Sequence, residues 1–568
     1  MKIWRIASEI KGENREERMK EIVRVLLRNR GIRSEEEAKM FLQPAFSLAQ
    51  LQTFISKEQI SLAVKRIKTA VERKEQIVIF GDYDCDGVCG TAILWRSLNR
   101  LGAKVQPFVP NRRDGYGLSS KGIEKILSFR PSLVITVDNG ITAIEQVSFL
   151  SSKGVDVIIT DHHLPSDKLP EALAIIHSLA LSGSAVVWVL AQSCLADCQL
   201  PPTDCQLDLV ALATITDLVP LTGPSRALVK TGLYWLNRTE NPGLKALIKK
   251  AGLTLGKIGV YEAGWILGPR LNATGRLTSA MDSLRLLCFS NPAWIRKLVE
   301  ELERVNQERQ RLLQQMLLQA KDTLKEAYGT NLPLCIFLSD PSYHEGVVGL
   351  VAARLAEEFS RPVIIGSERG EIIKASGRSI PSFNLVEAVA QARDLLEDFG
   401  GHPLAVGLVF KKQNLPAVKR RILAFVQNKL SEETLQPTLD IDCQIRLDDL
   451  TWQLFDELSK FEPFGIGNPR PLFLTKNLKI VAVRRVGNSQ QHLKLKLDDL
   501  TTGVEENKEV EVSSTSTLDG IGFNLGFMAD QLKEGDVVDL VYNLDKDVWN
   551  GEEILQLKVR DLRQSVGF

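Results

Sequence analysis

Four apolar runs pattern the first half of the chain: Ile77 to Phe80, Leu133 to Val137, Val155 to Thr160, and Leu207 to Ile215. Beside the first three lie helical stretches, Val88 to Leu101 closed by Gly102, and Lys121 to Phe129. Strands alternating with helices predict a parallel sheet covered by helices on both faces. In such sheets chemistry gathers beyond the carboxyl ends of the strands. Residues 1–74 ahead of them read as mostly helical, with a capping box at Ser34 and Glu37, and are expected to pack on the domain of residues 75–290 that follows. Asn291-Pro292 then opens a long helical pattern, residues 291–330, with Ile295, Leu298, Leu302, Val305, Leu312 and Met316 on one stripe. At 1.5 Å per residue it spans on the order of 50 Å, enough to separate two domains. A second α/β unit is expected over residues 331–436. From 437 to 568 the pattern changes to short alternating strands, such as His492 to Leu497 and Ile554 to Val559, with turn signals at Gly487-Asn488 and Asn550-Gly551. An all-β segment of that size fits a small barrel of the OB type.

Composition narrows this little. The 568 residues are 44% hydrophobic and 25% charged, as in globular proteins, and Lys plus Arg (71) balance Asp plus Glu (70) to a net charge of +1. A neutral total neither favours nor excludes a nucleic-acid partner, because a local basic groove can hide inside it. Eight cysteines in so long a chain, two of them (Cys85 and Cys89) flanking acids, do not form a disulfide framework and point to a reducing, cytoplasmic compartment. Cys194, Cys198 and Cys205 fall one ligand short of a zinc site and read more simply as a variable insert. The start of the chain is no signal peptide, and no run of about 18 apolar residues is present to span a bilayer.

The candidate chemistry sits at the ends of the apolar runs. The first spills into Gly81-Asp82-Tyr83-Asp84-Cys85-Asp86-Gly87. Three aspartates at alternate positions of an extended backbone project to one side, where like charges repel unless a divalent cation joins them; hard oxygen ligands suit Mg²⁺ or Mn²⁺. A solvated acidic loop is the plain alternative. An EF-hand is excluded, since Ile93 stands where its bidentate Glu belongs and a strand, not a helix, precedes the loop. The second run ends in Asp138-Asn139-Gly140, the third in Asp161-His162-His163, and the fourth, also taken as a strand, leads to Asp217. Each tripeptide alone could be a surface turn; four such ends on one sheet edge make a cleft. Gly268 to Arg276 reads as a glycine-rich loop whose Arg270 and Arg276 either lie in solvent or cradle a phosphate. Further on, Tyr343-His344-Glu345-Gly346, Ser376-Gly377-Arg378-Ser379 and Gly400-Gly401-His402 read as turns suited to phosphate or sugar oxygens. Lys494, Lys496 and Lys558 alternate with apolar residues, as on the wet face of a strand or along a nucleic-acid path.

Taken together these motifs resemble the DHH phosphoesterase superfamily and, more narrowly, the bacterial RecJ family of single-strand-specific DNA exonucleases, from about residue 75 to the end and including Pro463 to Pro469. The resemblance assigns residues 75–290 to a DHH catalytic domain, 331–436 to a DHHA1 domain, and 437–568 to a nucleic-acid-binding OB-fold. It implies that Asp84, Asp86, Asp138, His162 and Asp217 hold two Mn²⁺ or Mg²⁺ ions, with Asp82 close by and His163 facing the phosphate. Arg112, Arg276, Ser376 and Arg378 would then grip the 5′ end and the scissile phosphate, with Asn272, Gly377 and His402 lining the same cleft. The chain departs from the family's pattern at Tyr343, at Ser382, at Ser182 to Trp188, and in the insert from Cys194 to Cys205.

The activity so implied is metal-dependent 5′-to-3′ exonucleolytic hydrolysis of single-stranded DNA to 5′-mononucleotides in repair and recombination. Two metals can polarise a phosphoryl oxygen and activate a water without a covalent intermediate. A narrow channel between the two α/β domains, fed by the barrel, would exclude duplexes. The expected partners are single-stranded DNA, a single-strand-binding protein and a helicase, with the chain a monomer and no membrane involved. Two rivals are a phosphatase or phosphodiesterase of the same superfamily acting on small phosphorylated substrates, and an inactive scaffold that binds single strands.

Overall fold

The computed structural model describes residues 2–44, 46–112, 115, 117–198, 206–499, 517–549 and 551–565. It divides into two compact units. The larger holds residues 46–219 and 223–437; the other joins residues 1–45 and 220–222 to residues 438–568.

Within the larger unit a five-stranded, all-parallel sheet runs in the order Lys104–Phe108, Gln76–Gly81, Leu133–Val137, Asp156–Asp161, Ala174–His177. Its central strands are buried on both faces, which is why they read as unbroken apolar runs. The chain lays down the second strand on one side of the first and the third on the other. The crevice at that reversal lies between the ends of Gln76–Gly81 and Leu133–Val137, where Asp82 and Asp138 stand. The two edge strands, Lys104–Phe108 and Ala174–His177, carry no long apolar run and escape the sequence pattern.

Two expectations about these elements need correction. Leu207 to Ile215 is not a fourth strand but the helix Leu207–Thr216. It is apolar on every side and buried throughout, so its periodicity could not separate helix from strand. Gly268 to Arg276 is likewise no loop: a π-helical turn, Glu262–Leu267, runs straight into the helix Gly268–Leu277. Its glycines provide close approach, since a Cβ on Gly268 would lie 2.4 Å from Thr216 Oγ1 and one on Gly275 2.1 Å from the Tyr83 carbonyl.

The connecting helix is Pro292–Tyr328, capped by Asn291 and closed at Gly329, with Ile295, Leu298, Leu302, Val305 and Met316 buried along its stripe. Beyond it a second sheet orders Leu396–His402, Ala405–Lys411, Ile372–Arg378, Val363–Arg369 and Ile336–Asp340, parallel only between the last two. Ser376, Gly377 and Arg378, and likewise Gly400, Gly401 and His402, therefore lie in strands rather than in the turns their glycines suggested.

In the other unit Phe473–Val486 pairs with His492–Asp499 on one side and with Val537–Trp549 on the other, and Leu518–Gly522 and Glu552–Gln564 complete the curled sheet of an OB-type domain. The first 45 residues belong here and not, as the sequence suggested, on the five-stranded parallel sheet. Strand Ile3–Ile6 pairs with Thr438–Ile441, and Ile22, Val25 and Leu26 of the helix Arg15–Asn29 enter one core with Leu454, Phe461, Leu493 and Tyr542. Arg18 reaches Asp449 at 2.7 Å with both side chains buried, and Arg30 donates to Asn468, which also holds the Phe461 and Pro463 carbonyls. Helicity and capping, including the predicted box at Ser34 and Glu37, were legible; the choice of partner depended on contacts more than 400 residues away. Of the remainder of the expected helical segment, Lys57–Glu72 does stay with the parallel sheet, where Arg66 pairs with Glu75 and Asp156. The insert after Cys198 lies outside the described residues.

Candidate metal centre and phosphate pocket

The acidic turn is not extended. Asp82 follows the strand, but Asp84 is the N-cap of the helix Cys85–Arg100, its Oδ1 accepting from the Asp86 and Gly87 amides at 3.0 Å, and Asp86 sits in the first helical turn. Asp86 therefore parts from Asp82 and Asp84 instead of all three sharing one side. Asp86 turns toward the helix Gly183–Asp197, whose Gly183 and Ser184 amides donate to its two oxygens at 2.7 and 2.8 Å. Asn272 fixes the turn from the other side by accepting from the Cys85 amide at 2.7 Å.

Asp138 takes a left-handed backbone (φ 63°), unusual for a non-glycine residue and of a kind that clusters at functional sites. This aims its carboxylate at the cleft, 3.1 Å from His162 Nε2. His162 also lies 3.5 Å from Asp217 Oδ2, delivered by the end of the Leu207–Thr216 helix, and 3.8 Å from Asp86 Oδ2. Three adjoining sets result, the ligand atoms of each within 4.8 Å of one another: Asp82, Asp84 and Asp138; Asp86, His162 and Asp217; and Asp138, His162 and His163.

Electrostatically this cluster is unfavourable as it stands. Burial, followed by the charge of Asp84, holds the Asp82 carboxyl well above the usual range; burial and then Asp86 do the same to Asp138 and Asp217. Asp86 is also raised, by burial against the pull of His162, while burial keeps His162 toward its neutral form. Asp82 Oδ1 and Asp138 Oδ1 are buried without a hydrogen bond. Carboxylate oxygens with one neutral imidazole form the donor set of Mn²⁺ or Mg²⁺, and a divalent cation would remove both the repulsion and the orphaned oxygens. The residues present fit such ions.

Asp161, which the sequence did not single out as a site residue, orients the neighbouring imidazole. It accepts from the Ile141, His162 and His163 amides and from His163 Nδ1 at 2.7 Å. Burial alone would raise Asp161, but the His163 contact outweighs it and leaves the carboxyl below its ordinary range; His163 is raised in turn, Asp161 outweighing the effect of its burial.

Beside the acids lies a cationic pocket of about 290 Å³, lined by Asn111, Arg112, Arg276, Thr278 and His344 among others. Arg112 stacks over the Tyr83 ring at 4.4 Å with its Nε buried and unbonded. Arg276 donates to the Gly346 carbonyl; burial, then the charges of Arg112, Arg309 and Arg378, push its pKa down to about 10. Arg378 donates to Ser376 Oγ at 3.1 Å. His402 lies across neighbouring strands from it, paired through Ala405, and its pKa is lowered by burial and then by Arg378. Gly377 faces the other way: a Cβ there would lie 2.6 Å from Leu385 in the core. Guanidinium groups crowded around Arg276 in this way mark an anion site. His344 and Arg309 were not assigned from sequence; His344 was visible in a glycine-rich motif, whereas Arg309 lay in what read as a spacer helix.

Three family models match the chain: the DHH family N-terminal domain over residues 76–214, the DHHA1 domain over 331–428, and the RecJ OB domain over 441–561. The single-stranded-DNA-specific exonuclease RecJ of Bacillus subtilis is 34% identical over 95% of this chain and 67% of its own, and that of Escherichia coli 32% identical over 95% of each. The chain belongs to the RecJ family. Among solved structures, RecJ of Thermus thermophilus in complex with Mn²⁺ superposes with a TM-score of 0.80 at 30% identity, covering 100% of this chain and 80% of that one. A second RecJ structure from the same organism is in complex with Mg²⁺, and the carboxylate and imidazole sets described above fit a divalent ion of that kind. Among the described residues, no helix is long and apolar enough to cross a membrane.

Proposed function

We propose that this RecJ-family chain is a hydrolase that removes 5′-mononucleotides from single-stranded DNA in the 5′-to-3′ direction, serving repair and recombination. The observation that carries the reading is the juxtaposition of paired carboxylate sets with an arginine-lined pocket. In this reading Asp84, Asp86, Asp138, His162 and Asp217 hold two ions, with Asp82 adjoining. When bound, Mn²⁺ or Mg²⁺ supplies Lewis-acid polarisation of the phosphoryl group and a water acidic enough to attack it.

The chain's own groups do the rest. Arg112 and Arg276 hold the anionic end of the strand in the pocket, and Ser376 and Arg378 hold the adjoining phosphate, His402 standing beside them. His163, oriented by Asp161, donates to a phosphate oxygen. Asn272 keeps the acidic turn in register, and Gly377 supplies only backbone. The pocket volume suits a terminal phosphate, and the crevice between the two α/β domains excludes a duplex. We further propose that residues 75–290, 291–330, 331–436 and 437–568 act as catalytic domain, connector, DHHA1 domain and OB domain. The chain would work in the cytoplasm as a monomer, on strands supplied by a helicase and a single-strand-binding protein.

Degradation of 5′-labelled and 3′-labelled single strands with Mn²⁺ or EDTA, beside a blunt duplex, tests this. The expected outcome is immediate release of the 5′ label as a mononucleotide, progressive shortening of the 3′-labelled strand, and survival of the duplex. Intact strands with every divalent ion tried would overturn it.

A further inference from the structure

Three leucines stand in water around one end of the metal centre, and no step of the proposed reaction uses them. Leu164 directly follows His163 and is 69% exposed; Leu218 directly follows Asp217 and is 60% exposed. Leu179, 59% exposed, lies just beyond the strand Ala174–His177, which pairs with Asp156–Asp161 so that His177 is opposite Asp161. His177 Nε2 donates to the His163 carbonyl at 2.8 Å and the Ser178 amide to the Asp161 carbonyl, so Leu164 and Leu179 leave the same corner of the sheet.

Leu218 is also strained. Asp217 caps the helix Leu207–Thr216, and beyond it the Leu218 amide donates to the Ile215 carbonyl and the Val219 amide to the Thr214 carbonyl, both at 3.3 Å. This is the Schellman pattern, in which the residue after the cap takes a left-handed backbone and is usually glycine. Leu218 takes it with φ 60°, where a Cβ is penalised. Glycine or asparagine would turn the chain equally well and deliver Asp217 to the same place. A leucine both strained and exposed serves something other than the fold.

The opposite end of the centre is the cationic one, where Arg112 lies over the ring of Tyr83, between Asp82 and Asp84 in the chain. A strand whose terminal phosphate sits among those arginines, and whose first internal phosphodiester reaches the carboxylates, carries its second nucleotide past His162 and Asp217 to the leucines. Aliphatic side chains pack against the face of any base, so such a contact needs no particular sequence.

We infer that Leu164, Leu179 and Leu218 form an apolar shelf for the base of the second nucleotide and so position the scissile bond over the metal centre. This rests on the exonuclease reading above. The test measures single-turnover release of the first nucleotide, with Mn²⁺, from a 5′-phosphorylated pentathymidylate and from the same strand made abasic at its second position, for the full chain, L164N/L218N and L164M/L218M. The parent is expected to cut the strand with the base about tenfold faster. The asparagine variant should lose most of that preference and the methionine variant keep it, both binding Mn²⁺ in calorimetry as the parent does. L218N alone, which relieves the strain, should not lower the melting temperature. A preference that survives in the asparagine variant, or none in the parent, overturns the inference; so does weakened Mn²⁺ binding or a lower melting temperature, which would make Leu218 a support for Asp217 alone. If the parent cuts neither strand, their binding is compared in EDTA: a preference that the asparagine variant lacks upholds the shelf and refutes the exonuclease reading, and no preference overturns both.

Discussion

Gly183 offers the sharpest test of how the metal centre is held. It opens the helix Gly183–Asp197 with ordinary helical backbone, where alanine would by propensity alone be favoured by about 1 kcal/mol. A Cβ at this position, however, would lie 2.6 Å from Asp138 Oδ1 and 2.7 Å from Asp138 Cβ. Relief to ordinary contact requires a shift of roughly 0.8 Å, and Asp138 has little room to give it with its backbone fixed in the left-handed region and its amide bonded to the Thr160 carbonyl at 2.9 Å. Overpacking of this kind costs about 1–3 kcal/mol, enough to reverse the sign expected from propensity. A displacement near 1 Å at a reacting centre costs on the order of a hundredfold in rate. Gly183→Ala should therefore lower kcat on a 5′-labelled single strand by about two orders of magnitude with KM little changed, since the arginine pocket is untouched, and weaken Mn²⁺ binding measured by calorimetry. An alanine variant with parental kcat, or one that is more thermostable, would refute the reasoning.

Two further predictions follow from the charges. Arg276→Gln removes a partly buried cation that other arginines already repel, so thermal stability should hold or rise while kcat/KM falls about ten- to hundredfold on 5′-phosphorylated strands; an equal loss on 5′-hydroxyl strands would show that Arg276 does not bind the terminal phosphate. Asp82, Asp138 and Asp217 have folded-state values raised above the unfolded value near 3.9, so their ionisation costs the metal-free chain stability. That cost is absent below the unfolded value and complete once pH exceeds the folded values. The difference in melting temperature between Mn²⁺-loaded and EDTA-treated protein should accordingly widen as pH rises from 4 to 8, and a difference that stays flat or narrows counts against the carboxylates as ligands.

What the sequence disclosed follows from how each element is buried. Strands covered on both faces announce themselves, and Leu133–Val137 was read to the residue. Asp138, His162 and Asp217 were traceable because short motifs stand directly after buried elements, although the element before Asp217 was mistaken for a strand and its all-round apolar surface explains why. Glycine misled where it allows close packing rather than a turn, as at Gly268, Gly275 and Gly377. The support given to Asp86 by two amides of a distant helix left no local signal, since Ser182, Gly183 and Ser184 look like any capped start.

The placement of the first 45 residues carries a consequence for biosynthesis. Arg18 and Asp449 are 431 positions apart, and the core that receives Ile22, Val25 and Leu26 is completed by strands beyond residue 470. At about 5–20 residues per second, the segment leaves the ribosome tens of seconds before its partners exist. Over that interval its apolar stripe has no native surface to cover, while the intervening catalytic sheet can assemble from contacts nearer in sequence. Translation therefore completes the domain built on residues 438–568 after the intervening parallel sheet, and a nascent chain arrested before that point would expose the helix Arg15–Asn29 to chaperones and proteases.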